Sequence, residues 1–134
     1  MKKFSMVLIF ALTLPLSLVS QLSAQDVSPL NLQNNMRQTG IILKQVSASI
    51  NDASKNQENA ASVAKMIAYF QTARTQSPDS VTNGSFADYQ ALIDQEIQNF
   101  KDLQDAFLKN DNVAALSIVH KLNTVKKEGH DKYK

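Results

Sequence analysis

Leu32, Met36, Thr39, Leu43, Val46 and Ile50 recur at alternating spacings of four and three residues, the period of a helix packed nearly parallel to its neighbours. Three further segments carry inner stripes of the same kind: Val63, Met66, Ile67 and Phe70; then Phe86, Tyr89, Ile93, Ile97, Phe100, Leu103 or Gln104, and Phe107; then Val113, Leu116, Val119 and Leu122. Nothing after residue 24 alternates with the period of two that a half-buried strand requires, and no segment there is repeated or of low complexity. Four amphipathic helices joined by short connections fold back on one another in turn. The expected fold class is all-α, an antiparallel up-down-up-down four-helix bundle.

Local chemistry marks where each helix begins and ends. Ser28-Pro29 reads as an N-cap followed by proline at the first helical position. Asn51-Asp52-Ala53 interrupts the first stripe, and Ser54 with Gln57 forms a capping-box signature for the second helix. That helix is expected to end near Gln76, because Ser77-Pro78 disfavours further α geometry and Asp79-Ser80 with Thr82-Asn83-Gly84 is turn chemistry. Ser85 with Asp88 restarts a helix, and Asn110-Asp111-Asn112 stops it and caps the last one.

The N-terminus has a different character. Lys2 and Lys3 precede an apolar run from Met6 to Val19, interrupted by Pro15 and followed by a small residue, Ala24. This is the layout of a secretory signal peptide, and the run is shorter than the roughly 20 residues a bilayer span needs. Residues 1–24 are therefore expected to be a signal peptide and 25–134 one domain, exported to the periplasm without stable membrane insertion.

The sequence has no cysteine, which excludes disulfides, thiolate metal sites and covalent haem attachment through C-x-x-C-H. The formal charge of +2 matches Lys2 and Lys3, leaving 12 basic and 12 acidic residues beyond residue 24. That balance argues against a nucleic-acid partner. It conceals a dipolar pattern: residues 79–111 carry two basic and seven acidic side chains, and residues 121–134 five basic and two acidic.

In an up-down bundle the start of the first helix and the end of the fourth lie at the same end. Met36 stands about two turns into the first helix, and His130 about one turn from the end of the fourth. At 100° per residue His130 falls within about 40° of Leu116, Val119 and Asn123, continuing the expected buried stripe. His120 points about 80° away, toward solvent or a boundary. A core methionine is ordinarily a gap filler, and a histidine near a helix end is ordinarily a surface residue. A thioether and an imidazole facing each other across a helical core, however, are an axial ligand pair for haem iron. No nucleophile–base constellation or phosphate-cradling glycine loop is present, which argues against hydrolysis.

Asn35-Met36-Arg37-Gln38-Thr39 and Gly129-His130-Asp131-Lys132-Tyr133-Lys134 are similar to the axial-methionine and axial-histidine segments of the cytochrome b562 family, and the resemblance extends over the whole chain after residue 24. Tyr89 and Ile93 resemble pocket positions, and Met66 falls where the best-known member has a pocket methionine. The chain departs from the family with Lys126 where arginine is common, with Gly129 where a bulky residue may stand, and in the lengths of two loops. The resemblance implies one non-covalent haem b ligated by Met36 and His130. It also implies single-electron transfer to redox partner proteins rather than an enzyme. Leu32, Leu43, Met66, Phe70, Tyr89 and Ile93 are the expected pocket lining. The cluster Lys126, Lys127, Lys132 and Lys134 serves the haem propionates, a docking partner, or the dipole of the last helix. The rival reading is a haem-free exported bundle acting as a protein- or metal-binding module.

Overall fold

A computed structural model describes residues 31–78 and 85–132. It contains α1 (Leu32–Ala48), α2 (Asn56–Ala73), α3 (Ser85–Leu108) and α4 (Asn112–Lys132), with a 3-10 turn at Ala53–Lys55, and no strand among the described residues. The expected signal peptide at 1–24, Ser28-Pro29 themselves, the turn over residues 79–84, and Tyr133 and Lys134 lie outside the described residues. The helix start expected at Ser28-Pro29 is corrected: Asn31 is extended and its side chain accepts the Asn34 amide at 2.9 Å, so Asn31 caps α1 and the helix begins at Leu32.

Hydrogen bonds between helices give the direction of each pair. The Asn35 side-chain amide donates to Gln76 Oε1 at 2.8 Å, joining the start of α1 to the turn after α2. The Tyr89 hydroxyl donates to the Ala73 carbonyl at 2.8 Å, and Gln104 Nε2 donates to the Ala60 carbonyl at 3.3 Å, so α3 runs back along α2. Asn112 Nδ2 donates to the Ile50 carbonyl at 2.7 Å, setting the start of α4 against the end of α1. The bundle is antiparallel throughout.

The α1–α2 and α3–α4 connections meet at one end of the bundle and are tied by side-chain amides. Asn56, buried, donates to Asn110 and Asn112 at 3.0 and 2.9 Å, and Asn112 donates back to Asn56 at 2.9 Å. Asn110 takes φ 56°, the left-handed region that asparagine tolerates. The amides of Asn110 and Asp111 then reach the carbonyls of Phe107 and Ala106 at 3.0 and 2.8 Å, a Schellman closure of α3. Asp111 accepts from the Ala114 amide at 2.9 Å and so caps α4. Asn112→Ala leaves Asn56 and the Ile50 carbonyl short of partners at this knot. The expected cost is about 1–3 kcal/mol in urea unfolding.

The cap of the second helical segment differs from expectation. The Asp52 carboxylate accepts both the amide and the hydroxyl of Ser54, at 3.0 and 2.6 Å. Asp52 is thus the cap, Ser54 lies inside the 3-10 turn, and α2 begins at Asn56. A carboxylate is the stronger acceptor, and it draws the chain into its first turn two residues early.

The core is filled by Val46, Val63, Met66, Phe100, Leu103, Phe107 and Leu122. Phe70 meets Phe100 edge-on with centroids 4.9 Å apart. Leu103 rather than Gln104 faces inward on α3. On α4 the expected stripe is corrected: Val113 is 83% exposed and Leu116 is exposed too, while Ala115, Val119, Leu122 and Val125 are buried. Apolar bulk favoured Leu116, but the spacing Ala115, Val119, Leu122, Val125 starts about 100° around the helix from it. A small alanine sits at the close approach.

Candidate functional site

A cavity of about 330 Å³ opens at the end of the bundle opposite the asparagine knot, where α1 and α3 begin and α2 and α4 end. Leu32 and Met36 line it from α1, Phe70 from α2, Tyr89, Leu92, Ile93 and Glu96 from α3, and Val125, Lys126, Gly129 and His130 from α4. Pro78 adds to the wall beyond α2. A smaller recess of about 40 Å³ continues inward past Met36, Phe70, Glu96 and Lys126 to Thr39, Leu43, Phe100 and Leu122.

The walls are braced by bonds at helix ends. Tyr89 is buried and donates to the Ala73 carbonyl, which also takes the Gln76 amide at 3.0 Å in the turn where α2 stops. Burial pushes its hydroxyl up to about 12, so it stays a neutral donor at physiological pH. Its ring stacks on Phe86 at 5.9 Å. Arg74, capping α2, grips Asp94 of α3 with two bonds of 2.6 and 3.0 Å. This holds Asp94 below its usual carboxylate range, though both side chains are solvated and the pair adds little stability. On α1, the Thr39 hydroxyl bonds back to the Asn35 carbonyl at 2.9 Å, within the helix.

Met36 and His130, at opposite ends of the sequence, therefore line one cavity. Met36 is half-buried, while His130 borders the cavity as an exposed residue rather than as part of the buried stripe of α4. His120 is also exposed and lines none of these cavities. Of the other expected lining residues, Leu32, Phe70, Tyr89, Ile93 and Lys126 stand on the main cavity and Leu43 on the inner recess. Met66, also expected in the lining, is wholly buried and lines neither space. Its register on α2 between Val63 and Phe70 turns it to the centre of the bundle.

Leu92, Glu96 and Val125 also line the cavity, outside the set expected from the sequence. Val125 and Gly129 follow Leu122 at spacings of three and four, a signal that was present. Glu96 occupies the inner-face register between Ile93 and Phe100, where its charge disguised it. Burial pushes its carboxyl up to about 7 from the ordinary 4.5, with the Lys126 ammonium pulling the other way. Lys126 reaches across the α1–α4 seam, its Nζ 3.7 Å from where a Cβ would stand on Gly40. At Gly129 a Cβ would come 3.3 Å from Leu92 Cδ2, so the wall there is nearly closed by Leu92 itself.

The sequence model of the family described as Cytochrome b562 matches residues 31–134. The chain belongs to the cytochrome b562 family. Membership makes it a haem-binding cytochrome of the electron-transfer kind, and no curated protein matches it. The residues fit that cofactor of the cytochromes b562: the cavity is predominantly apolar, and it is bordered by one thioether and one imidazole. Among the described residues, no three His, Cys, Asp or Glu gather where they would hold a bare metal ion. No described helix is long and apolar enough to cross a membrane.

Proposed function

We propose that this protein is an exported b-type cytochrome carrying single electrons through one haem b, bound without covalent attachment and ligated axially by Met36 and His130. The observation that carries the reading is the convergence of those two side chains on one apolar cavity in a chain of the cytochrome b562 family. A haem held there supplies a one-electron iron couple, poised by a thioether opposite an imidazole at a relatively high potential. The residues do the rest. Leu32, Phe70, Ile93 and Val125 exclude water, Tyr89 is fixed by its bond to Ala73, and Lys126 stands at the seam as the cation available to a propionate. With both axial positions taken, no coordination site is left for substrate, so the protein is a carrier rather than an enzyme.

The absence of cysteine makes attachment non-covalent, and the Lys2-Lys3 start with its apolar run supports export to the periplasm. The partners are redox proteins, met at the lysine-rich end of α4 through acidic patches. Steering of that kind is screened over about 8 Å at physiological ionic strength. Electron exchange with an anionic reagent therefore slows as salt is added, and slows less after charge removal at Lys126 and Lys127. A rate flat or rising in salt contradicts the steering.

The test of the function is a titration of the haem-free chain with haemin. The expected result is one equivalent bound, a low-spin absorption spectrum in both oxidation states, and complete extraction of the haem into acidified organic solvent. A chain that takes up no haemin is the haem-free binding module instead.

A further inference from the structure

Glu96 has no place in the ligation of haem. It stands on α3, a different helix from either proposed ligand, and is only 9% exposed. It forms part of the wall shared by the cavity and its inner recess, among Phe70, Ile93 and Phe100. Its carboxyl makes no hydrogen bond or ion pair with a described residue. A carboxylate in such surroundings is disfavoured by desolvation and compensated by neither donor nor salt bridge.

The groups facing Glu96 are few. α4 presents Lys126, which favours the charged form, and farther along the same wall His130. α3 adds Tyr89, whose hydroxyl is engaged and neutral. α1 presents Met36, Thr39, Gly40 and Leu43, and α2 presents Phe70, none of them titratable in this range. Each electron accepted removes one unit of positive charge from the cavity. In a poorly screened interior that loss raises the proton affinity of a neighbouring carboxylate far more than it would in water.

We propose, resting on the carrier reading above, that reduction is proton-coupled: Glu96 takes up one proton from solvent as the protein accepts one electron from its one-electron donor. The carboxylate becomes a carboxylic acid, so the wall gains one positive unit that offsets the accepted electron, and the net charge of the cavity with its contents is unchanged. On oxidation the electron leaves to the acceptor and the proton returns to water. No bond other than the O–H of Glu96 is made or broken.

The experiment is a spectroelectrochemical titration of haem-reconstituted wild type, Glu96→Gln and Lys126→Gln between pH 5 and 9, with reduced-minus-oxidised infrared difference spectra. The wild-type midpoint is expected to fall as pH rises through neutrality, approaching tenfold in the reduction equilibrium per pH unit, 59 mV for one electron. Glu96→Gln removes that segment, and Lys126→Gln moves it to higher pH. A carboxylic-acid carbonyl band appears on reduction of wild type and is missing in Glu96→Gln. A flat wild-type profile, a slope retained in Glu96→Gln, or an infrared band that survives the substitution overturns the proposal, leaving the carrier reading intact where haem is bound. No haem uptake in the reconstitution spectrum overturns both.

Discussion

His130→Ala lowers the affinity of the chain for haem by more than about 100-fold, beyond the 10–100-fold typical of losing a group that only orients a metal ligand. With no cysteine in the sequence, haem is held by ligation and packing alone, and the neutral imidazole is much the stronger of the two donors, since a thioether is a weak acceptor. Its exposure on α4 leaves no packing role to confuse the result: the haem-free variant is expected to unfold at the wild-type temperature. Met36→Ala acts differently. It leaves the imidazole in place, opens the sixth position, and yields a high-spin species of lower potential, because the thioether favours the ferrous state. Haemin titrations followed by absorbance separate the two, and an unchanged affinity in His130→Ala contradicts the assignment.

Glu96 dominates the pH dependence of the haem-free bundle. Its folded carboxyl is raised to about 7 from 4.5, so between those values the folded chain holds a proton that the unfolded chain releases. The associated stability is present in full below about pH 4.5 and is lost as pH rises through about 7. At 1.36 kcal/mol per unit the loss is about 3 kcal/mol. Glu96→Gln, of the same shape without the charge, flattens the profile and makes the bundle more stable than wild type at pH 8. Urea unfolding at pH 5 and pH 8 of both chains reads the difference directly. Equal slopes in the two would show that the cavity hydrates Glu96 well enough to remove its penalty.

Much of this architecture was legible because the stripes on α1, α2 and α3 are built from large apolar residues at unambiguous spacing. α4 was less legible. Its buried face begins with Ala115, the smallest residue on it, and an alanine carries little signal beside Leu116 and Val113, although helices approach closest where side chains are small. The cap at Asp52 was hidden because Ser54 and Gln57 form a valid capping pattern that a stronger acceptor two residues earlier pre-empts. Met36 and His130 were placed at one end by topology alone, which needs only the number of helices and short loops. Glu96 was out of reach: a charged side chain at an inner register reads as a surface residue until the neighbouring walls are known. The Asn56–Asn110–Asn112 knot was equally invisible, because its members come from two helix junctions distant in sequence.

The central claim is that Met36, and no other methionine, faces His130 across the haem. Met66, wholly buried in the core and off the cavity, is the control. The most direct measurement is the absorption spectrum of ferric and ferrous protein reconstituted with haem, for wild type, Met36→Ala and Met66→Ala. The account predicts low-spin spectra for wild type and Met66→Ala, with Met66→Ala costing only stability, about 2–5 kcal/mol for a buried methionine, and a high-spin spectrum for Met36→Ala alone. A high-spin Met66→Ala beside a low-spin Met36→Ala contradicts it.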